Sequence, residues 1–408
     1  MRVALLTESF AKGMGYLENI LPKYFVRLGV ETHVIATSLP MNFRNSVAEA
    51  VRDESQSRSD PGQADLLDGY AVHTLGHKRV CGHMRMVGLR EKLAQLRPDI
   101  VQTMTPIGWI GFDSARYKSA FGYELFTGCH YHASVFPLAW RKRHLFSAEY
   151  LHCLAARMIP GRFVSLATKK CYAIAQDCAE VAERFFGVQK KKLDICPLGV
   201  DLEIFHPDLT ERGYAERSAL RQQLGFAENE IICVYTGKCS SEKNPLLLAE
   251  AVEQLRRAGA PYRGLFIGSG EQLESIAKHS ACISLPPVDV RDLGAYFRAA
   301  DIGVWPTQES MSMLDAAACG LPVVANNTMQ ARERLDGNGL SYRLNDVNDL
   351  VRVLLKMRDK GVRQSMGHNG ALKMAHGYGW ESIARRRIRD YEDALPSPKF
   401  GRNAAEPL

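Results

Sequence analysis

The sequence predicts an α/β chain made of two doubly wound parallel sheets joined by a linker. Short apolar runs alternate with helix-length amphipathic stretches along most of the 408 residues, as they do when helices cover both faces of a parallel sheet. The alternation runs once from Val3 to Cys196 and begins again at Ile231, so two such units in one chain are the simplest account. The length, at roughly 150 residues per domain, allows two or three domains, each able to bury a sizeable core.

Val3–Thr7 reads as a buried strand, Glu18–Leu28 as a helix and Val34–Thr37 as the next strand. Asp99–Gln102 and Glu124–Cys129 read as strands on either side of a helix over 107–119. After a long helical stretch the expectation is a strand at Phe163–Ala167, a helix over 169–186 and a strand at Leu193–Cys196. The second unit opens with the strand Ile231–Tyr235, then helix 245–258, strand Arg263–Ile267, helix 271–279 and strand Ala281–Leu285. Helix 290–300, strand Asp301–Trp305, helix 311–319 and strand Pro322–Ala325 complete it. Residues 197–230 carry Pro197, Gly199, Pro207, Gly213 and Gly225 and have the composition of a linker. Residues 40–69 read as a mobile loop, because Asp53–Gly62 is polar and rich in breakers. The residues from Pro396 read as a frayed tail.

Composition excludes several classes. With 46% hydrophobic and 24% charged residues, the chain is not globally disordered, collagenous or a coiled coil. The ten cysteines form no Cys-x-x-Cys pair and no zinc-finger spacing, so they read as reduced core thiols of a cytoplasmic protein. The apolar run of Met1–Glu8 is too short for a signal peptide, and no run reaches about 18 apolar residues, so any meeting with a membrane is peripheral. The first 200 residues carry 26 Lys+Arg against 18 Asp+Glu, and the remainder 26 against 27. All the excess positive charge therefore lies in the first half, which suits an anionic acceptor or the anionic inner face of a membrane, or else a solvated basic face. The basic runs are short and no nucleic-acid reader motif accompanies them, so nucleic acid is not an expected partner.

In doubly wound sheets, ligands sit outside the carboxyl ends of strands, where helix N-termini attract anions. Four segments meet that rule. The first is Ala11-Lys12-Gly13-Met14-Gly15, whose two glycines allow close backbone approach. Position 18 is Glu18, so the third glycine of a dinucleotide fingerprint is missing. The segment is then either a nucleotide loop or a close-approach loop at a cleft. The second is Thr236–Pro245, where Lys238 and Lys243 bracket a helix start and could hold a diphosphate as point charges. The alternative there is ordinary surface charge. The third is Trp305–Val324, where Ser310 and Ser312 can cap a helix and donate to an anion, with Glu309 and Asp315 beside them. A carboxylate next to an anion needs donors, and sugar and ribose hydroxyls are natural ones. The fourth is Gly128-Cys129-His130-Tyr131-His132, at the end of a first-unit strand, with His130 either meeting a ligand held by the other domain or a satisfied core histidine.

Taken together, these segments resemble the GT-B glycosyltransferases of family 4, the "group 1" retaining transferases, over roughly Arg2–Tyr391. The stretch Ile195–Pro207 is similar to the family's I-P-N-G-V-D-x-x-x-F-x-P. Thr236–Lys243 is similar to G-R-L-x-x-E-K, Phe266–Gly270 to I-G-x-G, and Asp315–Val324 to E-A-M-A-C-G-x-P-V-V. The resemblance implies that Lys238 and Lys243 bind the donor diphosphate and that the backbone of Ser310, Met311, Ser312 and Met313 covers the phosphates. It implies that Asp315 holds the ribose and Glu309 a donor-sugar hydroxyl, and that Pro287-Val288 lies near the base. His130 would approach the donor sugar, and the Gly13–Gly15 loop would face the diphosphate. One departure is plain: the family usually has two glutamates separated by seven residues, whereas Glu309 and Asp315 are separated by five and the second acid is Asp.

The resemblance implies an N-terminal acceptor domain over 1–200 and a donor domain over 201–377. It implies a C-terminal helix over 378–395 returning to the first domain, and a flexible tail over 396–408. It implies a retaining transferase moving a sugar from a nucleotide-diphosphate sugar to a glycan, lipid-linked or small-molecule acceptor. No Asp-x-Asp occurs, and two lysines with a helix N-terminus can stabilise the leaving diphosphate, so no metal cofactor is expected. The basic-aromatic run Trp140–Phe146 and the run Gln189–Lys192 would suit a lipid-linked acceptor at the cytoplasmic leaflet. A GT-B nucleotide-sugar epimerase and a non-catalytic GT-B binding protein are the competing readings.

Overall fold

The computed structural model describes residues 1–38, 64–81, 83–140, 147–329, 331 and 334–396. Two large sheets form. The first takes β1 (Arg2–Leu6), β2 (Glu31–Thr37), β3 (Asp65–Leu67), β4 (Tyr70–Leu75), β7 (Ile100–Thr103), β8 (Glu124–Cys129), β9 (Thr168–Ala173) and β10 (Leu193–Ile195), in the order β10-β9-β8-β7-β1-β2-β4-β3. Every neighbouring pair is parallel except β3 with β4. Between β4 and β7, β5 (His77–Val80) and β6 (His83–Met86) form a separate antiparallel pair. The second sheet is all parallel: β11 (Ile231–Thr236), β12 (Tyr262–Ile267), β13 (Cys282–Leu285), β14 (Ile302–Trp305), β15 (Val323–Asn326) and β16 (Gly339–Tyr342), ordered β13-β12-β11-β14-β15-β16. Central strands such as β11 are buried at every residue, which is why they read as unbroken apolar runs rather than as alternation.

Both sheets reverse their winding at one point. Strand order departs in opposite directions from β1 and β7 in the first sheet, and from β11 and β14 in the second. A crevice opens at the carboxyl ends of strands at such a switch point. The molecule therefore carries two ready-made crevices, one per sheet.

Several expectations need correction. The apolar run Phe163–Ala167 is not a strand; it ends the helix Ile159–Ala167, the strand is β9, five residues later, and the helix expected over 169–186 therefore starts only at Gln176. The run's apolar residues fall on helical rather than alternating positions, with Val164 buried while Phe163 and Leu166 face out. The stretch 197–230 is not all linker, because Glu211–Gln223 is a helix packed on the rear unit. Arg221 in it is fully buried, donating to the carbonyls of Ala299 and Ala227 and to the Asp301 carboxylate. Ser310 and Ser312 do not cap a helix: Met311 holds the cap position of Ser312–Ala318, with no side-chain cap. Of the loop expected over 40–69, residues 40–63 lie outside the described residues and Asp65–Leu67 is strand β3 rather than loop; 141–146 of the basic-aromatic run and 397–408 of the tail also lie outside the described residues.

The crossing between the units is narrow. Asp201 accepts hydrogen bonds from Lys23 and the Tyr24 hydroxyl, both at 2.9 Å, and Glu203 pairs with Arg27. Ile204 and His206, by contrast, offer their carbonyls to Arg298 of the rear helix Val290–Ala299. The chain thus passes from front to rear attachments within Glu203–Ile204. The helix Trp380–Ala394 returns to the front sheet, where Tyr391 packs edge-on against Phe25 and Phe126. Gly199 is required here, since a Cβ would lie 2.4 Å from the Trp380 ring.

Candidate functional site

The rear crevice is lined by the loop after β11 (residues 237–244) and the loop after β14 (306–311). Both are braced. Trp305 Nε1 donates to the Thr236 carbonyl at 3.1 Å, and the Thr307 hydroxyl to the Glu242 carbonyl. Asn326 Nδ2 donates to the carbonyls of Pro306 and Thr307, and the Tyr342 hydroxyl to that of Pro306. The glycines after β12 serve this loop stack: a Cβ on Gly268 would lie 1.9 Å from the Gly237 carbonyl oxygen, and one on Gly270 2.4 Å from that of Cys239. Their first physical requirement is backbone against backbone, not ligand approach.

Lys238 and Lys243 both sit in the first of these loops, and Glu309 and Ser310 in the second. Burial pushes the Lys243 ammonium below the usual lysine range; Arg334 and Lys238 add to the drop and Glu309 opposes it. Arg334, absent from the sequence reading, is itself buried, and its Nη1 donates to the Ser310 carbonyl at 2.8 Å. Three cations therefore share this crevice with the carboxylates of Glu309 and Glu242, both of which act on Lys243. Met313 is buried and its N–H donates to the Ser310 carbonyl at 3.3 Å. Met311 and Ser312 are left as the amides at the front of the turn.

Asp315 lies one helical turn behind. Burial holds its carboxyl well above the usual carboxylate range, and the charge of Asp201 pushes the same way. Among the described residues no side chain hydrogen-bonds it. A desolvated acid without donors is a poor structural element and a good receptor for ligand hydroxyls.

The front unit reaches this crevice directly. The Ser134 hydroxyl donates to Glu309 Oε2 at 3.0 Å, bridging the two units. His130 follows β8; burial, then the charges of Arg387 and His132, lower it to about 4, so it is a neutral imidazole at physiological pH. Its Nε2 lies against the bare Cα of Gly128, where a Cβ would come within 3.3 Å. The Gly13–Gly15 loop faces the loop after β13: a Cβ on Gly15 would meet Val290 at 3.0 Å, and one on Gly13 would stand 3.5 Å from an Asp289 oxygen. Val288, in that same rear loop, is partly buried. Burial also raises Glu18 to about 7 and Glu8 above the ordinary glutamate value.

His132, two residues beyond His130, hydrogen-bonds Asp177 through Nδ1 at 3.1 Å. Burial would raise Asp177, but the His132 bond and the Ala133 and Cys178 amides outweigh it and hold the carboxyl below its usual range. The Nδ1, carboxylate and Sγ atoms of His132, Asp177 and Cys178 lie within 4.8 Å of one another, the one grouping among the described residues that a metal ion could use. The imidazole–carboxylate hydrogen bond already satisfies both groups. Arg334 and Ser134 escaped the sequence reading for one reason: each is a single polar residue whose place is set by tertiary packing. The position of Arg334 just beyond β15 at the carboxyl edge was the available signal.

Residues 21–204 match the family described as Glycosyltransferase Family 4, and residues 230–359 match Glycosyl transferases group 1. The chain belongs to the family 4, group 1 glycosyltransferases. A D-inositol 3-phosphate glycosyltransferase of Geodermatophilus obscurus is 29% identical over 259 residues, covering 59% of this chain and 56% of that one. One from Arthrobacter sp. is 31% identical over 243 residues, 54% of this chain and 55% of its own length. The chain thus spans little more than half the length of these relatives. Among solved structures, sucrose-phosphate synthase of Thermosynechococcus elongatus aligns with a TM-score of 0.70 at 16% identity over 96% of this chain and 98% of that one. HepE of Anabaena in complex with UDP and glucose aligns at 0.69 and 15% over 97% and 100%. These neighbours establish the GT-B fold of this family 4 chain.

Proposed function

We propose that this family 4 chain transfers a sugar from a nucleotide-diphosphate sugar to a hydroxyl acceptor, with retention and without a metal ion. The observation that carries the reading is the meeting of Lys238, Lys243 and Arg334 with Glu309 at the β11/β14 switch point, with the buried Asp315 one helical turn behind. Lys238 and Lys243 hold the diphosphate as point charges, and the Met311 and Ser312 amides face its oxygens. Asp315 receives the ribose hydroxyls, Glu309 a hydroxyl of the donor sugar, and the loop at Pro287-Val288 lies by the base. That Glu309 reaches across to Ser134 despite the five-residue spacing supports its place at the sugar rather than on the outer surface.

In the reaction the bond between the anomeric carbon and the diphosphate oxygen breaks, and its electron pair leaves with the diphosphate. The cations stabilise that developing charge, the largest need of the step. The acceptor oxygen forms the new bond on the face the diphosphate leaves, and its proton passes to a departing phosphate oxygen. No protein nucleophile is required. Neutral His130 can then exchange hydrogen bonds with the donor sugar without adding charge to an oxocarbenium-like centre. The acceptor is a glycan, a lipid-linked sugar or a small molecule bound on the front unit, the half with the excess positive charge. Action at the cytoplasmic membrane face accords with this.

The UDP held by the HepE neighbour makes UDP the first nucleotide to try. A thermal-shift panel of UDP, GDP and ADP in the presence of a chelator tests the donor site, since a ligand of the native state raises the melting temperature. Stabilisation by one nucleotide supports the reading, and none by any contradicts it. A donor-hydrolysis assay then separates the three candidates. Slow release of the unchanged sugar with retained anomeric configuration supports a transferase, release of a sugar epimerised at a ring carbon other than the anomeric one marks an epimerase, and binding without turnover marks a binding protein.

A further inference from the structure

The stretch Ala148–Ala167 of the front unit is one continuous helical run: an α-helix, a π turn over Leu154–Met158, and the helix Ile159–Ala167. Along it Leu151 (49% exposed), Ile159 (61%), Phe163 (43%) and Leu166 (64%) point outward, with exposed Ala155 between. A spacing of four residues drifts forward on a 3.6-residue helix, and the wider π turn takes the drift back. The result is a straight apolar stripe of five positions; the ring of Phe163 leans on that of Phe112, 5.0 Å between centroids, yet all five remain exposed. Large exposed apolar side chains are ordinary when scattered, but four aligned on one helix mark a docking surface.

The surroundings select its occupant. Lys190 and Lys191, on the turn before β10, stand exposed beside the end of this helix, and Arg162 lies between Ile159 and Phe163. None of these three has an ion-pair partner among the described residues. A pocket of about 450 Å³ opens next to the stripe, lined by Met158, Ile159, Arg162, Val188 and Lys190, with Glu183 as its one acid. Lys192 is differently employed: its Nζ donates to the carbonyls of Ser165, Leu166 and Thr168, closing the helix end from which Leu166 projects. An apolar ridge flanked by unpaired cations, with a cation-rimmed pocket of headgroup size, fits the boundary of an anionic bilayer. Two copies of this surface facing each other would bring like charges together, which disfavours self-association.

We infer that the Leu151–Leu166 stripe lies in the interface of an anionic phospholipid membrane, with Arg162, Lys190 and Lys191 on lipid phosphates. The stripe is close to the acceptor side of the cleft. Arg157 of the π turn lies 5.2 Å over the ring of Phe136, which closes the loop carrying His130 and Ser134. Lipid docking would hold that loop next to the bilayer. The inference does not depend on the donor reading, and no helix of the described residues is long and apolar enough to cross a membrane.

The test is flotation of the full chain with phosphatidylcholine vesicles, and with vesicles in which about a third of the lipid is phosphatidylglycerol. Binding should be confined to the anionic vesicles and should fall when salt is raised. The double variant Ile159→Asp/Phe163→Asp should lose at least about tenfold in partitioning. Arg162→Glu and Lys190→Glu should each lose roughly fivefold or more. UDP, GDP and ADP thermal shifts are read on the same samples: unchanged shifts in the variants show that the fold is intact. Vesicle binding without any nucleotide shift would sink the donor reading and leave this one standing. Absence of flotation with anionic lipid, flotation equal on neutral lipid, or variants that float like the parent overturns it. So does a dimer, by light scattering, that Ile159→Asp dissociates.

Discussion

The two switch-point crevices are alike in topology and opposite in chemistry. The rear one gathers Lys238, Lys243 and Arg334 around Glu309, with the donorless Asp315 behind them. The front one is lined by groups that burial shifts toward their neutral forms: His130 is lowered to about 4, Glu18 is raised to about 7 and Glu8 is raised above its usual value. A parallel sheet provides the position of a site, and the side chains at the strand ends decide its sign. An anion belongs at the rear and a hydroxyl-bearing partner at the front, although the front half carries the chain's excess positive charge. That excess lies elsewhere on the front unit, including the face around Arg162 and Lys190.

The comparison can be broken most sharply at Lys243. Lys243→Ala should weaken nucleotide binding and reduce kcat/KM by about 10- to 100-fold, the loss of a charge-assisted contact to the diphosphate. Steady-state kinetics checks it, and unchanged kinetics in a folded variant would remove the phosphate role.

Asp315→Asn sharpens the other end of the rear crevice. Nucleotide affinity should fall about tenfold, read by calorimetry. Stability of the unliganded protein should move the other way. A carboxyl raised in the folded state binds more protons folded than unfolded, so it costs stability as pH rises above about 4 toward its folded value. The variant should therefore melt at or above the parent temperature at pH 8, and a clear drop would contradict the account.

His130→Gln probes the front crevice. His130 titrates near 6.5 unfolded and about 4 folded, so the unfolded chain takes up the proton first as pH falls. Stability is fully present above 6.5 and declines toward 4 at about 1.4 kcal/mol per pH unit for the group. The variant should show a shallower acid decline in chemical denaturation; an identical slope would place His130 in water. Burial also lowers His73 to about 4, so the variant's slope does not vanish.

The smallest effect is expected at the contact between the crevices. Ser134→Ala removes the hydroxyl bridging to Glu309, a net loss of about 1 kcal/mol. Donor hydrolysis should change less than about tenfold, with scattering showing a more open mean shape. A change as large as that at Lys243 would give Ser134 a direct part in the chemistry.

What the sequence disclosed follows from how each feature is encoded. Buried parallel strands such as β11 and β14 are unbroken apolar runs, and these were legible to within a residue or two, whereas β9 was displaced by five. β3, β4 and β16 were not, since β3 and β16 have only partly buried or exposed residues over most of their length. The run Phe163–Ala167 misled because an apolar stripe facing outward has the composition of a buried strand. At the site, Lys238, Lys243, Glu309 and Asp315 were legible because they lie in contiguous loops next to strands. Arg334 and Ser134 come to the same place from 24 and 175 residues away, and no local pattern records that. The Gly268–Gly270 pair was seen as a motif, but its reason, the backbone of Gly237–Cys239 lying against it, exists only in three dimensions.

The central claim is that a nucleotide diphosphate binds at the β11/β14 crevice by protein cations alone. Isothermal titration of UDP, GDP and ADP, with chelator present, into the parent chain and Lys243→Ala tests it most directly. The account predicts saturable binding of at least one of the three to the parent and a loss of tenfold or more in the variant. Equal affinity in both proteins, or binding that appears only when a divalent ion is restored, would contradict it.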